Sequence, residues 1–165
     1  QLEEATFRRV VIPVQELLDT AGKYFRKSMK NRTERIELEI GTVDAKVIGD
    51  LNQLRFLLEN LIDEALAVHE DGLLRLQARQ DDEYIRFLFT DTRREKSLEE
   101  LNLLFYPNLA RMTAGEKGEL RGTEYLVCKQ IIRDHDEFAG RRGCRINAEP
   151  AADGGFTVYF TVPRR

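Results

Sequence analysis

Cysteine is scarce, two residues in 165, and Cys128 and Cys144 stand far apart, which excludes a disulfide scaffold and the paired spacing of a zinc finger. Proline and glycine are also few, 4 and 11, so the chain is neither collagen-like nor a linker. Long apolar runs are missing: the richest stretch, LLENLIDEALAV, is interrupted by charge and falls far short of the ~20 residues of a membrane span. An excess of one charge is missing too. With 26 Lys and Arg against 29 Asp and Glu, the net charge of −3 leaves no basic footprint for nucleic acid. The first residues, QLEEATFRRV, lack the basic-then-apolar layout of a signal peptide, and a reducing, cytoplasmic setting is expected. No Ser, His and Asp are grouped as a nucleophilic triad would require, and the two cysteines and two histidines, His69 and His135, lack the close pairing of a zinc site.

What the sequence does have is apolar periodicity without repeats, read here as one domain over residues 11–165, with residues 1–10 as the end of an upstream linker or dimerisation helix. Val14, Leu17, Leu18, Ala21 and Phe25 mark a helix from about Pro13 to Met29. Ile36, Leu38 and Ile40 alternate with glutamates, and Val43, Ala45 and Val47 follow Gly41, a pattern that predicts a half-buried hairpin of two edge strands. Asp50 suits an N-cap, and Leu54, Leu58, Leu61, Ala65 and Val68 predict a helix from Leu51 to His69. Two antiparallel strands, Leu73–Arg79 and Tyr84–Thr90, then a short helix over Ser97–Phe105, come next. Asn108–Arg121 has no apolar period and reads as a lid, a further helix ends near His135, and Cys144–Ala148 with Phe156–Val162 read as a closing hairpin. This order predicts an α+β fold: a two-layer sandwich with one mixed, mostly antiparallel sheet of roughly five or six strands, about three helices on one face, and a more polar opposite face.

Five segments resemble, in order, the boxes of the histidine kinase ATP-binding domains of the GHKL superfamily, whose architecture is called the Bergerat fold. Asp50–Ala65, DLNQLRFLLENLIDEA, is similar to the N box. DTRRE at Asp91–Glu95 is similar to the first glycine box, Asp-x-Gly-x-Gly in the family, with both glycines replaced. Leu104–Leu109 resembles the F box, Gly122–His135 the second glycine box with its helix, and Gly154–Pro163 the last strand, so that the resemblance covers about Val11 to Pro163.

The resemblance implies ATP and Mg²⁺ as cofactors, an upstream dimerisation and phosphoacceptor domain and a response regulator or other signalling protein as partners, and no nucleic acid or membrane contact for this segment. It implies that Asn60 and Glu64, one helical turn apart, would face the phosphates and the metal, that Asp91 would accept from the adenine amino group, and that Gly122 would let the backbone approach the phosphates. Glu64 stands where the family has a neutral amide, and Glu124 where its Gly-Leu-Gly-Leu, here Gly122-Thr123-Glu124-Tyr125, has the second glycine, so each brings negative charge toward a triphosphate. Residue chemistry alone also allows plainer roles: Glu64 as a solvated helix residue, Asp91 as a strand-end turn former, Glu124 as a first-turn acid. Arg93 and Glu95 add bulk where glycines let a nucleotide pass, and Arg93, Arg94 and Lys96 could also reach phosphates. Phe105 and Tyr106 are expected to anchor the lid, and His135 matches a structural histidine. No phosphoacceptor histidine lies in the chain, so two functions stand side by side: the ATP-binding domain of a sensor histidine kinase with a degenerate site, and a pseudokinase module that docks partners without nucleotide.

Overall fold

The structure, a computed structural model, describes residues 6–107, 113–114, 120–121 and 123–165. The expected lid, apart from the short strands Thr113–Ala114 and Leu120–Arg121, and the expected ligand Gly122 lie outside the described residues. Among the described residues, β1 (Val10–Pro13) leads into α1 (Val14–Met29), followed by β2 (Ile36–Ile40), β3 (Lys46–Gly49), α2 (Leu51–Leu66), β4 (Gly72–Asp81) and β5 (Tyr84–Asp91). Then come α3 (Leu98–Asn102), β6 (Thr113–Ala114), β7 (Leu120–Arg121), α4 (Glu124–Phe138), β8 (Ile146–Pro150) and β9 (Phe156–Pro163).

The main sheet has the order β2-β4-β5-β9-β8, antiparallel throughout except for the parallel pair β2 and β4. The expected hairpin of β2 with the following strand does not form. β3 instead pairs antiparallel with β1 in a separate two-stranded sheet, Ile12 opposite Val47, while β2 pairs with β4, Leu38 opposite Leu74. The backbone between them is spoken for elsewhere: Gly41 N donates to Leu76 O, Val43 N to the Gln15 side chain, and Ala45 O accepts from Val14 N. Apolar alternation reports which face a strand buries and is silent on its neighbour, and the α2 crossover makes a parallel partner available.

Buried residues of α1, α2 and α4 form a single cluster with alternate sheet residues, including Leu18, Leu57, Leu61, Ile132, Leu76 and Phe87. Phe87 and Phe160, cross-strand neighbours, stack with centroids 4.7 Å apart. The intervening positions, among them Arg75, Gln77, Arg79 and Arg86, give the opposite face its polar character, as the alternation predicts. The row that contains Leu74 and Phe156 also contains Asp91, because these three are cross-strand partners. A carboxylate is thereby placed on the core side of the sheet, at the end of a strand.

The start of α2 is fixed by Asp50 and His135. Asp50 Oδ1 accepts from Gln53 N at 3.0 Å and its Oδ2 from Arg8 N at 2.9 Å. Asp50 N donates to His135 Nε2 at 3.0 Å, and His135 Nδ1–H is directed at Ile131 O at 2.9 Å, which defines the neutral tautomer. Gly49 lacks a side chain because its Cβ would stand 2.8 Å from the imidazole. Burial pulls the His135 pKa below the ordinary 6.5, against the smaller opposing effects of the Ile131 hydrogen bond and the nearby Asp50 and Asp134. Since the unfolded chain takes up the proton first, His135 contributes stability that is full above about pH 6.5 and declines as pH falls below it. The thermal midpoint should therefore fall more steeply between about pH 6.5 and 5.5 in the native chain than in His135→Gln; parallel slopes would contradict this.

Candidate functional site

A cavity of about 150 Å³ opens where the last turn of α2, the inward ends of β5 and β9 and the first turn of α4 meet. Ala65, Val68, Phe89, Tyr125 and Phe156 supply its apolar wall, and Glu64 and Asp91 its acids, with Arg94 and Lys96 also bordering it. This volume matches one or two aromatic rings rather than a whole nucleotide. Asp91 is 5% exposed. A carboxylate so deeply placed requires compensation, and the compensation comes from two residues along the chain.

Arg93 folds back onto the strand it follows. Its Nε donates to Asp91 Oδ1 and its Nη2 to Asp91 Oδ2, both at 2.9 Å, and its backbone N donates to Oδ1 at 3.0 Å. The remaining guanidinium hydrogens reach carbonyls at and just beyond the C-terminal end of α2: Nη2 to Ala65 O at 2.6 Å, Nη1 to Val68 O at 3.1 Å and to Glu70 O at 2.9 Å. All five side-chain N–H donors are thus directed at acceptors, and the side chain is 1% exposed. The chain leaving a helix end carries carbonyls short of donors, and Arg93 serves three of them while neutralising Asp91. Gly72 makes room for it: at φ +144° its Cβ would stand 2.5 Å from Arg93 Cγ. Gly155, at φ +81°, lets the β8–β9 turn lie against the backbone of Asp91 and Thr92.

Of the expected ligands, Glu64 and Asp91 meet at this cavity. Asn60, one turn earlier and buried, donates its Nδ2 to Phe56 O of its own helix at 2.8 Å. Arg93 neither projects into the cavity nor reaches for phosphates, and the view of it as a bulky loop residue is corrected by its 1% exposure. Arg94 remains at the surface, 3.6 Å from Glu70, and Lys96 sits over the Phe156 ring. Glu124 Oε1 is buried without a hydrogen-bond partner among the described residues. Glu64 and Glu124 lie close enough to Cys128 that their charges, after burial, push its thiol pKa up. Phe105 is buried edge-to-face against Tyr125, whereas Tyr106 is 54% exposed with Lys129 over its ring. Sequence reasoning missed the Arg93 contact, although Asp-x-Arg at a strand end, following a glycine that opens the paired strand, is a usable signal for it.

Alanine at Gly72 meets both an unfavourable φ and the Arg93 stem, while Gly154, at φ +109°, faces open space. Gly72→Ala should therefore lose about 1–3 kcal/mol in urea denaturation, and more than Gly154→Ala. Equal losses would contradict the packing of Gly72 against Arg93.

Comparison with known proteins agrees with this geometry. The family described as histidine kinase-, DNA gyrase B-, and HSP90-like ATPase matches residues 49–165, well over half the chain. The signal transduction histidine-protein kinase BaeS of Escherichia coli strain K12 is 25% identical over 161 residues, which covers 95% of this chain and 32% of that protein. The chain thus spans about a third of the length of this relative. Among solved structures, the mycobacterial sensor histidine kinase MprB matches with a TM-score of 0.71 at 20% identity, covering 96% of this chain and 99% of that one. Histidine kinase ThkA in complex with response regulator protein TrrA matches with a TM-score of 0.72 at 18% identity, covering 99% of this chain and 44% of that one. The sandwich, the acid-bearing cavity at the end of α2 and the match over residues 49–165 agree, and the chain belongs to this ATPase family, as a histidine kinase ATP-binding domain of the GHKL superfamily.

Proposed function

We propose that the chain is the ATP-binding domain of a sensor histidine kinase in two-component signalling, with a degenerate nucleotide site. The observation that carries this reading is Asp91, set on the core side of the sheet beside Glu64 in a cavity sized for a base. In this reading Asp91 accepts from the purine amino group, Phe89, Tyr125 and Phe156 enclose the ring, and Gly122 lets the backbone approach the phosphates. Mg²⁺ usually takes one or two carboxylates together with phosphate oxygens, and Glu64 with the Asn60 amide could supply the protein side of such a set. The metal, when bound, would neutralise phosphate charge; the chain's own part is to hold and orient the nucleotide and exclude water. An upstream dimerisation domain would bear the phosphoacceptor histidine, a response regulator would receive the phosphoryl group, and the setting would be cytoplasmic. No described helix is long and apolar enough to cross a membrane.

The second reading, a pseudokinase that positions partners without nucleotide, is favoured by the acids on the phosphate side. Glu64 at the cavity, and Glu124, whose Oε1 is buried without a hydrogen-bond partner among the described residues, would repel a triphosphate. Isothermal titration with Mg·ATP separates the two. The first reading expects weak binding that Asp91→Ala abolishes and Glu64→Asn strengthens about tenfold, equivalent to about 1.4 kcal/mol. Silence of the folded native chain and of Glu64→Asn up to about 5 mM would leave the pseudokinase reading.

A further inference from the structure

We infer that Arg93 is a specificity-determining residue of this cavity: an internal ligand of Asp91 that competes with the amino group of a purine. The inference rests on the nucleotide reading above and adds what sets the site's affinity. A carboxylate offers roughly four lone-pair positions. Arg93 takes three of them, two on Oδ1 through its backbone N and Nε and one on Oδ2 through Nη2. What remains for a ligand is one position on Oδ2, on a group whose charge is already balanced by the guanidinium, and a hydrogen bond to a compensated carboxylate is weaker than one to a free carboxylate.

The arrangement is built rather than incidental. The same guanidinium is held from its far side by Ala65 O, Val68 O and Glu70 O, and Gly72 leaves the space through which its stem passes. Withdrawal of Arg93 to free Asp91 would therefore break its hydrogen bonds to three carbonyls, of which Ala65 O keeps a second donor in Val68 N, so the competitor is tethered and costly to displace. Any purine that enters the cavity next to Phe89 and Phe156 meets an acceptor already engaged, which makes Arg93, more than the acids on the phosphate side, the determinant of base recognition.

A role confined to capping α2 and a role in base recognition differ in one readout, discrimination between purines with and without an amino donor. Adenosine carries the exocyclic amine; inosine has a carbonyl oxygen in its place; neither has phosphates to meet Glu64 or Glu124. Competition predicts that Arg93→Gly, confirmed as folded by circular dichroism and a cooperative melt, binds adenosine at least about tenfold more tightly than the native chain, with no such gain for inosine. Arg93→Lys, which keeps a cation but cannot form the bidentate pair, should gain less but in the same direction, and decides the question if the glycine variant does not fold. Equal gains for both nucleosides, or an adenosine affinity in the folded variants no higher than in the native chain, would overturn the inference while leaving the nucleotide reading intact. Failure of adenosine to bind any folded form, including Arg93→Gly, would overturn the inference and the nucleotide reading together.

Discussion

A carboxylate on the buried face of a sheet must be balanced by an opposite charge or become protonated, and this constraint organises one end of the domain. Asp91 is in register with Leu74 and Phe156, so the β-pairing that builds the core also commits the carboxylate to the interior. Arg93 meets the requirement at the shortest range the chain allows, and the fixed fork of the guanidinium suits both carboxylate oxygens. The net contribution of such a pair to stability is modest, because desolvating both ions offsets most of their attraction. Loss of one partner alone is a different matter, at about 3–5 kcal/mol. The pair is therefore better understood as fixing how α2, β4, β5 and the β8–β9 turn converge than as a source of stability.

The helix that faces the cavity is held at both ends by side chains from distant parts of the sequence. At its start, His135 of α4 accepts from Asp50 N while Asp50 caps the first turn. At its end, Arg93 serves the carbonyls of Ala65, Val68 and Glu70. Between these points Leu54, Leu57, Leu58 and Leu61 bury the inner face. Glu64 is thus presented to the cavity by a helix with little freedom to shift, and any ligand must adapt to the acid where it stands.

Much of this was legible in the residues. The N-cap at Asp50, the alternation of Ile85, Phe87 and Phe89, the closing hairpin around AADGG and the short helix that begins after Ser97 are local patterns, and local patterns survive folding when their apolar side finds a core. The partner of β2 was not legible, since Ile36, Leu38 and Ile40 bury one face whichever strand lies alongside. That Glu64 and Asp91 come to one cavity follows from the box order of the resemblance, which places a helix and a strand end together. The direction of Arg93 was not legible, because a charged residue in a polar loop points to solvent by default, and here the buried Asp91 carboxylate and carbonyls at and beyond the end of α2 reverse that default. Tyr106 shows the opposite error: an aromatic next to a buried Phe105 need not be buried itself.

The claim on which the account turns is that the Arg93 guanidinium is immobilised in the ligand-free chain by Asp91 and the end of α2. Nitrogen-15 NMR of the arginine side chains at neutral pH tests it directly, because a guanidinium with every N–H engaged and 1% exposure rotates slowly about its Nε–Cζ bond and exchanges its hydrogens slowly. The account predicts separately resolved, protected Nη resonances that vanish from the spectrum of Arg93→Lys. Rapidly averaged, unprotected signals from every arginine would contradict it.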